Sequence, residues 1–363
     1  MNKIVFCTLR DNKGATGGPA GVLYLQKQVL GSNISDCNCD YWFNTFSSDN
    51  IIKRVLNKVL FLSRCLFKRN TYFFTHDITS GWILSILGRR YSLIYHSQGP
   101  SIEESMNLGK SYGKMSGWFL RYRERMAFTH AKTLHFPSMG AAEMYFQSKY
   151  ASCSMDEVNL RKPLYNIIPQ AEINKPKDFP LEKDEHVLTF FSLGTLTVAK
   201  GQDQTVEFLA EFVKYYKKPV RYIFVGKGPL KEILIKKLDE IKCGYSFFTY
   251  YYFDALPHDV VMYLHQISDV YIMLHRISIF DFATLEAMSQ DSAVVLSRVG
   301  GNPEFNRNDN VVFAEEAMKD MKKFAETDFI TLKQRNIDVF GKYFSEEAFR
   351  KQYETFVSDL FVS

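Results

Sequence analysis

The chain has 363 residues, 46% of them hydrophobic, and a formal net charge of +5. This length exceeds what one hydrophobic core usually organises, so we expect two domains. No segment reaches the roughly 18 uninterrupted apolar residues of a membrane span, and the first apolar run is too short for a signal peptide. The sequence therefore predicts a cytoplasmic protein. Its six cysteines lack zinc-site spacing, which favours free thiols over disulfides or a metal site.

Short apolar runs alternate with helical stretches in the first half of the chain. The runs at 3–9, 71–76, 92–97 and 132–138 are predicted strands. Such a βαβ rhythm is typical of a doubly wound α/β sheet. The first half therefore predicts a Rossmann-like domain over residues 1–170.

A glycine loop follows the first predicted strand. Gly17, Gly18 and Pro19 precede a helix, and glycines let the backbone approach a phosphate at a helix start. A Gly-Gly pair is also common in ordinary turns. The loop lacks a full G-x-G-x-x-G, so the strongest sequence signal for a nicotinamide cofactor is absent from it.

A strongly amphipathic helix is predicted from Ile51 to Arg69. On a wheel of ~100° per residue its basic residues fall in an arc of roughly 160°, and large apolar residues fill the opposite face. The pattern is typical of a helix on an anionic membrane, although a surface helix that packs on its own sheet gives it too. The basic residues are Lys53, Arg54, Lys58, Arg64, Lys68 and Arg69.

A second basic run at Arg121, Arg123 and Arg125 would extend this patch. A nucleic acid partner is not expected, because no recognised DNA- or RNA-binding module accompanies the patch.

One histidine has a suggestive place. His96 ends a predicted strand in IYHSQGP, where it could orient a hydroxyl of a sugar or an acceptor. A structural histidine bonded to the backbone is the alternative.

The second half repeats the βαβ rhythm after a polar stretch. We predict a linker at 171–185 and a second Rossmann-like domain at 186–344. The final residues, 345–363, form an amphipathic helix with Ser345 as a plausible N-cap. The predicted strands of the second half are 186–194, 220–226, 245–253, 269–274 and 292–297.

The segment from 269 to 289 joins a buried strand to a helix through a polar loop. Ligands of open α/β sheets bind at the carboxyl ends of strands, and the amides of Phe282, Ala283 and Thr284 at the helix start would attract phosphate. Glu286, one turn further in, could accept hydrogen bonds from a ribose. The alternative for Glu286 is a solvated helix residue.

These features resemble a known family. The EAM of Glu286 after a Phe-containing loop, the VVLS strand, VGGNPE and Lys200 before Gly201 are similar to the donor site of the retaining nucleotide-sugar glycosyltransferases of family four, glycosyltransferase group 1. The segment IFDFATLEAM resembles the corresponding segment of enzymes of bacterial capsule and O-antigen assembly. The resemblance implies a GT-B fold, in which two Rossmann-like domains face each other across a cleft and the C-terminal helix returns to the N-terminal domain.

The resemblance also implies roles for single residues. Lys200 would neutralise the donor diphosphate, Glu286 would bind the donor, Gly17 and Gly18 would form the family's N-terminal glycine loop, and His96 would lie at the sugar end of the cleft. The sequence has no D-x-D metal signature, so the expected chemistry needs neither a metal nor a cofactor.

Two positions depart from the family pattern. Ser278 stands where the first of two glutamates is usual, and we expect Asp281 in the same loop to supply the carboxylate. Thr195, a predicted donor-binding position, stands where an arginine is usual, so a cation is missing unless Arg276 or Arg298 reaches in.

The sequence thus predicts an enzyme that transfers a hexose or N-acetylhexosamine from a nucleotide diphosphate sugar to a glycan acceptor, with retention. The expected acceptor is lipid-linked, as in bacterial surface polysaccharide synthesis, and region 51–69 would contact an anionic membrane. The alternatives are a UDP-sugar epimerase of GT-B fold and a non-catalytic scaffold or nucleotide-sugar-binding protein.

Overall fold

The chain forms two compact units, one of residues 1–167 with 346–363 (unit 1) and one of residues 168–345 (unit 2). The computed structural model describes residues 2–11, 18–47, 49–68, 70–107, 111–168, 173, 176–177 and 179–362. Gly17 and Arg69 lie outside the described residues, as do residues 171–172, 174–175 and 178 of the predicted linker. The linker at 171–185 therefore stays a prediction.

Unit 1 contains a six-stranded sheet in the order β2-β3-β1-β4-β5-β6, in which only the β2–β3 pair is antiparallel. Its strands are β1 (Asn2–Cys7), β2 (Asn33–Ile34), β3 (Cys37–Trp42), β4 (Tyr72–Thr75), β5 (Tyr91–Ile94) and β6 (Thr133–His135). Its helices up to residue 167 are α1 (Gly18–Leu30), α2 (Ile51–Phe67), α3 (Ile78–Ile86), α4 (Ser101–Asn107), α5 (Lys114–Thr129) and α6 (Met139–Gln147).

The chain order explains where the helices of unit 1 lie. The crossovers from β3 to β4, β4 to β5 and β5 to β6 all run in one direction along the sheet. Right-handed crossovers therefore place α2, α3 and α5 on one face and α1, whose crossover runs the other way, on the opposite face. In agreement, α3 contacts both α2 and α5.

Unit 2 contains a second six-stranded sheet, wholly parallel, in the order β12-β11-β10-β7-β8-β9. Its strands are β7 (Leu188–Leu193), β8 (Val220–Val225), β9 (Phe248–Phe253), β10 (Val270–Met273), β11 (Ala293–Leu296) and β12 (Val311–Phe313). Its helices are α7 (Gln202–Tyr216), α8 (Lys231–Gly244), α9 (His258–Ile267), α10 (Phe282–Ser289), α11 (Ala314–Ala317), α12 (Met321–Ala325) and α13 (Phe329–Tyr343).

The central strands of unit 2 are buried on both faces, as parallel strands between two helix layers must be. Every residue of β8, β10 and β11 is buried, which accounts for their nearly continuous apolar sequences. The prediction of two Rossmann-like α/β halves is confirmed.

The last helix, α14 (Glu346–Val362), belongs to unit 1. Phe356 packs edge-on against Phe74 of β4 with ring centres 5.1 Å apart, and Tyr353 packs against both Phe74 and Phe6 of β1. The apolar face of this amphipathic helix therefore closes the core of unit 1.

Two further sequence expectations can be compared with the structure. All six cysteines are free thiols, and only Cys243 is exposed. Within the described part of the chain, no helix combines the length and the apolarity that crossing a bilayer requires.

Candidate donor site

Lys200 is held at the carboxyl end of β7 by a close approach of two backbones. It ends a short 3-10 helix, Val198–Lys200, and Gly201 then begins α7 with a left-handed φ of +70°. A Cβ atom on Gly201 would lie 1.7 Å from the carbonyl oxygen of Leu274, directly after β10. Only glycine therefore lets the loop after β7 lie against the loop after β10.

The close approach places Lys200 beside two polar residues of the β10 loop. Its Nζ is 3.0 Å from Oδ1 of Asp281 and 3.3 Å from Nε2 of His275. His275 is buried and lies 3.6 Å from the same carboxylate oxygen. The three side chains form a compact cluster, in which an ammonium and an imidazole lie beside one carboxylate.

Asp281 also caps helix α10. Its Oδ2 accepts hydrogen bonds from the amide and hydroxyl of Thr284, at 3.2 and 3.3 Å, and from the hydroxyl of Tyr271 at 3.4 Å. Of the three predicted phosphate-binding amides, that of Thr284 is thus occupied by the cap. Those of Phe282 and Ala283, at the helix start, have no acceptor among the described residues.

The charges around Asp281 keep it ionised. Burial alone would raise its pKa, but the positive charge of Lys200, together with the neighbouring imidazole of His275, outweighs burial and holds the pKa of Asp281 well below its usual range. In contrast, burial followed by the charges of Asp281 and Glu286 raises the pKa of the neighbouring Tyr271.

Glu286 lies in α10 with its side chain only 8% exposed, so it is not the solvated helix residue of the alternative interpretation. Its Oε1 is 2.9 Å from Nε2 of His258, the first residue of α9. Its Oε2 is 3.8 Å from Nε2 of His265, which is fully buried.

The two histidines beside Glu286 differ in charge state. The hydrogen bond to Glu286 raises the pKa of His258 above its usual value. Burial, followed by the charge of His258, lowers the pKa of His265 to about 3. Glu286 therefore favours the protonated form of His258, whereas His265 is a neutral neighbour.

Ser278 and Thr195, the two positions that depart from the family pattern, differ in burial. Ser278 is buried, and its hydroxyl has no hydrogen-bond partner among the described residues. Thr195 is exposed in the loop after β7, and its carbonyl accepts a hydrogen bond from Gln202 at 3.2 Å.

Neither candidate arginine replaces the missing cation. Arg276 makes a two-pronged pair with Asp203, both contacts at 2.7 Å. Arg298 pairs with Glu316, and its guanidinium lies 3.8 Å above the ring of Phe313. Of Lys200, Arg276 and Arg298, it is therefore Lys200 whose charged group lies beside the start of α10.

His96 and Gly18 are the candidate site residues that the structure describes in unit 1. His96 follows β5, and its Nε2 is 3.1 Å from Nδ1 of His76, with the two rings stacked 5.3 Å apart. Burial lowers the pKa of His96 to about 3, so the pair shares one hydrogen bond between neutral rings. Gly18 begins α1 with a left-handed φ of +77°.

Sequence reasoning missed three histidines of the site. His275 is the first polar side chain after the apolar strand β10, and that position at a sheet edge could have identified it. His258 and His265 lie 28 and 21 residues before Glu286 in the sequence, and no local pattern connects them to it. The described residues contain no group of three or more His, Cys, Asp or Glu arranged to hold a metal ion.

Comparison with known proteins gives the site a context. Residues 174–327 match the family described as glycosyl transferases group 1. A stretch of 141 residues is 30% identical to a phosphatidylinositol N-acetylglucosaminyltransferase subunit of Arabidopsis thaliana, and it covers 39% of this chain and 30% of that protein. The chain thus spans less than a third of this relative.

Solved structures share the fold over nearly the whole chain. Sucrose-phosphate synthase of Thermosynechococcus elongatus matches with a TM-score of 0.67 and 14% identity, covering 100% of both chains. HepE of Anabaena, in complex with UDP and glucose, matches with a TM-score of 0.59 and 14% identity, covering 99% of this chain and 100% of that one. The fold is therefore GT-B, and together with the family match it supports a group 1 glycosyltransferase.

Proposed function

We propose that the protein is a retaining glycosyltransferase of family four that moves a hexose or N-acetylhexosamine from a nucleotide diphosphate sugar to a glycan hydroxyl. This proposal rests on the observation that Lys200 lies beside the start of α10. The buried carboxylate of Glu286 lies about one turn further along the same helix. A cation, free helix amides and a carboxylate are the groups that a diphosphate and a ribose need.

Lys200 has the central role in donor binding. Its ammonium is 3.0 Å from Asp281 and its side chain is 24% exposed, so it is within reach of a ligand. A donor diphosphate would accept hydrogen bonds from Lys200 and from the amides of Phe282 and Ala283. The N-terminal end of α10 adds a favourable dipole for the same charge.

Glu286 would accept hydrogen bonds from the donor ribose. His258 occupies Oε1 of Glu286 at 2.9 Å, which leaves the second oxygen as the better acceptor. Thr195 and Gly18 are the remaining donor contacts that we propose, by the resemblance of their loops to the family. HepE, which shares this fold, has been solved with UDP and glucose, and this supports a nucleotide sugar as the donor.

In the reaction, the bond between the anomeric carbon and the diphosphate oxygen breaks, and the electron pair leaves with the diphosphate. The acceptor oxygen forms the new bond on the same face of the sugar, and its proton passes to the departing diphosphate oxygen. Lys200 and the start of α10 would stabilise the departing charge, which makes metal-independent chemistry sufficient. Asp281 would face the sugar in place of the glutamate missing at Ser278, and His96 would orient a sugar hydroxyl.

We further propose a lipid-linked glycan acceptor and a role in bacterial capsule or O-antigen synthesis, at the inner face of the cytoplasmic membrane. The similarity of the segment IFDFATLEAM to such enzymes supports this assignment, and so does the basic amphipathic region 51–69.

The test is a donor screen by mass spectrometry. Purified protein receives UDP-, GDP- and dTDP-sugars with lipid-linked acceptor extract and EDTA, and nucleotide release and product are measured. We expect release from one donor, a loss of at least about a hundredfold in Lys200→Ala and Glu286→Ala, and no change in the exposed controls Lys236→Ala and Glu240→Ala. NMR of the product identifies retention or inversion.

The same assay tests Asp281. Asn can still cap α10, so Asp281→Asn removes the charge but keeps the helix start. We expect kcat to fall while UDP binds at least as tightly, because a negative charge beside the diphosphate is gone. An unchanged kcat would exclude Asp281 as the catalytic carboxylate.

A non-catalytic nucleotide-sugar-binding protein is the second candidate. The observations that favour it are the neutralisation of Lys200 by Asp281 and the absence of an arginine at Thr195. Tight binding of one nucleotide without release from any donor, with or without acceptor, would establish this candidate and exclude the enzyme.

A further inference from the structure

Helix α2 turns its apolar face away from the protein. Its buried residues are Asn57, Phe61 and Cys65, spaced four apart on one line. On a wheel of ~100° per residue this line lies within the basic arc, opposite the apolar arc. The side chains that face outward are between 37% and 87% exposed; they are Ile52, Val55, Leu56, Val59, Leu62, Leu66 and Phe67.

This orientation is the reverse of an ordinary surface helix, which packs its apolar face on its own sheet. The contact with the rest of unit 1 is instead made by the narrow buried line. The side-chain oxygen of Asn57 accepts hydrogen bonds from the backbone amides of Thr45 and Phe46, and Phe61 packs edge-on against Trp42. The simple packing explanation of the amphipathic pattern is therefore wrong for this helix.

Helix α5 has the same unusual orientation. Its buried residues, Gly117, Glu124, Ala127 and Phe128, face the protein. The outward stripe has apolar and aromatic side chains at helical spacing, with Met115 86% and Trp118 66% exposed. The stripe consists of Met115, Trp118, Phe119 and Tyr122.

The two helices are parts of one surface. Both contact α3, and both lie on the same face of the sheet. The guanidinium of Arg123 in α5 lies 5.0 Å above the ring of Trp82 in α3. Burial, followed by the charges of Arg123 and Arg54, lowers the pKa of Lys58 in α2, which places cations of the two helices near each other.

The charged side chains that the two helices expose are all cationic. Helix α2 contains no acidic residue, and the one acidic residue of α5, Glu124, is buried, where it accepts hydrogen bonds from Tyr95, Ser101 and Tyr145. Exposed cations border the apolar stripes. They include Lys58 and Arg64 of α2 and Lys114 and Arg121 of α5.

A recess of about 500 Å³ lies beside α5. Lys114, Trp118, Arg121 and Tyr122 line it, so aromatic rings and cations meet there. Arg125 also borders the recess, but it pairs with Glu157 and supplies no free charge. An anionic headgroup fits this combination of rings and cations.

We propose that the outward stripes of α2 and α5 form a two-helix platform that lies on a membrane surface rich in anionic lipid. The platform deepens the membrane contact of the proposed function by adding α5 and by fixing which side of α2 enters the lipid. Outward aliphatic and aromatic side chains would enter the acyl boundary, and the flanking cations would reach the headgroups.

Other occupants fit the surface less well. A second copy of the chain would bring two cationic faces together, which costs free energy. Nucleic acid would satisfy the cations but would leave the aliphatic side chains of α2 without apolar contact. A membrane satisfies both parts of the surface.

Vesicle sedimentation tests the platform with the full chain. We expect the protein to bind vesicles of phosphatidylcholine with phosphatidylglycerol more tightly than phosphatidylcholine alone, and salt to weaken binding. The double variants Val55→Ser with Val59→Ser, and Met115→Ser with Trp118→Ser, should each lower the partition coefficient by at least about tenfold. The control Ile233→Ser with Ile330→Ser removes two exposed apolar side chains of unit 2 and should bind like the original protein.

The substituted side chains are exposed, so unchanged thermal unfolding is the check on folding. Absence of vesicle binding, equal binding by platform and control variants, or a dimer in light scattering that the same substitutions abolish would each overturn the platform. Nucleotide release from the donor is measured without vesicles in parallel. Binding without turnover would refute only the glycosyltransferase, and turnover without binding would refute only the platform.

Discussion

Gly201 fixes the position of the lysine that precedes it. Its left-handed φ and the closeness of the Leu274 carbonyl leave no room for a side chain. The site therefore depends on a residue that has no functional group of its own, because any Cβ at 201 would separate Lys200 from Asp281.

We predict that Gly201→Ala destabilises unit 2 by at least about 2 kcal/mol, through the strained backbone and the clash with Leu274. Denaturant unfolding followed by circular dichroism measures this loss, and donor binding should weaken with it. The control is Gly244→Ala, because a Cβ on Gly244 meets nothing within 4 Å. Equal stability of the two variants would contradict the close approach.

The pair of His258 and Glu286 should make stability depend on pH. The folded pKa of His258 is raised by Glu286, so its contribution is complete below the unfolded pKa of about 6.5 and disappears as the pH rises through the folded pKa. Since the His258 side chain is 40% exposed, we expect no more than about 1 kcal/mol.

His258→Gln tests this dependence, because glutamine keeps a hydrogen-bond donor but carries no charge. The difference in unfolding free energy between the original protein and the variant should be largest near about pH 5.5 and should shrink towards about pH 8.5. His186→Gln, at an exposed histidine of the same unit, should show no such trend. A difference that stays constant with pH would exclude the charged pair.

At the residue scale, local patterns singled out Lys200, Asp281 and Glu286 as candidates, but not the contacts that these residues make. The Lys200–Asp281 contact joins positions 81 residues apart in the sequence, and the His258–Glu286 contact joins positions 28 apart. Which carboxylate meets which cation depends on strand order, which the sequence does not display. His258, His265 and His275 were therefore missed.

Among the elements, the helix at the site was the easiest to predict. Helix α10 spans Phe282–Ser289 as expected, because Asp281 caps its start and buried apolar positions continue through it. Strand β3 was missed because CNCDYW is not an apolar run, although its cysteines are buried in alternation. Strand β12, which has three residues, was also missed.

Helix α14 should be essential for the stability of unit 1. Phe356→Ala removes a buried ring that packs on Phe74 and His135, and we expect a loss of about 3–5 kcal/mol. Thermal unfolding should show the transition of unit 1 shifted to lower temperature, with that of unit 2 unchanged. Lys351→Ala, at an exposed position of α14, is the control; a similar shift in both variants would contradict the packing role.

For the whole molecule, alternating apolar runs were sufficient to predict two Rossmann-like units, because buried parallel strands need continuous apolar sequence. The side of α2 that faces the sheet was beyond prediction. A helical wheel separates the apolar arc from the basic arc, but the sheet determines which arc is covered. The buried line of Asn57, Phe61 and Cys65 excludes the packing interpretation, and the membrane interpretation stays a proposal.

The packing of α14 in unit 1 has a consequence for biosynthesis. Residues 168–345 are inserted between two parts of the same unit. During translation, residues 168–345 leave the ribosome before α14 does, so unit 2 can fold while α14 is still in the exit tunnel. Synthesis of unit 1 begins first, yet its sheet stays uncovered where Tyr353 and Phe356 pack until α14 has emerged. Unit 1 is thus completed after unit 2, and its aromatic sheet face is the surface on which a nascent-chain chaperone would act.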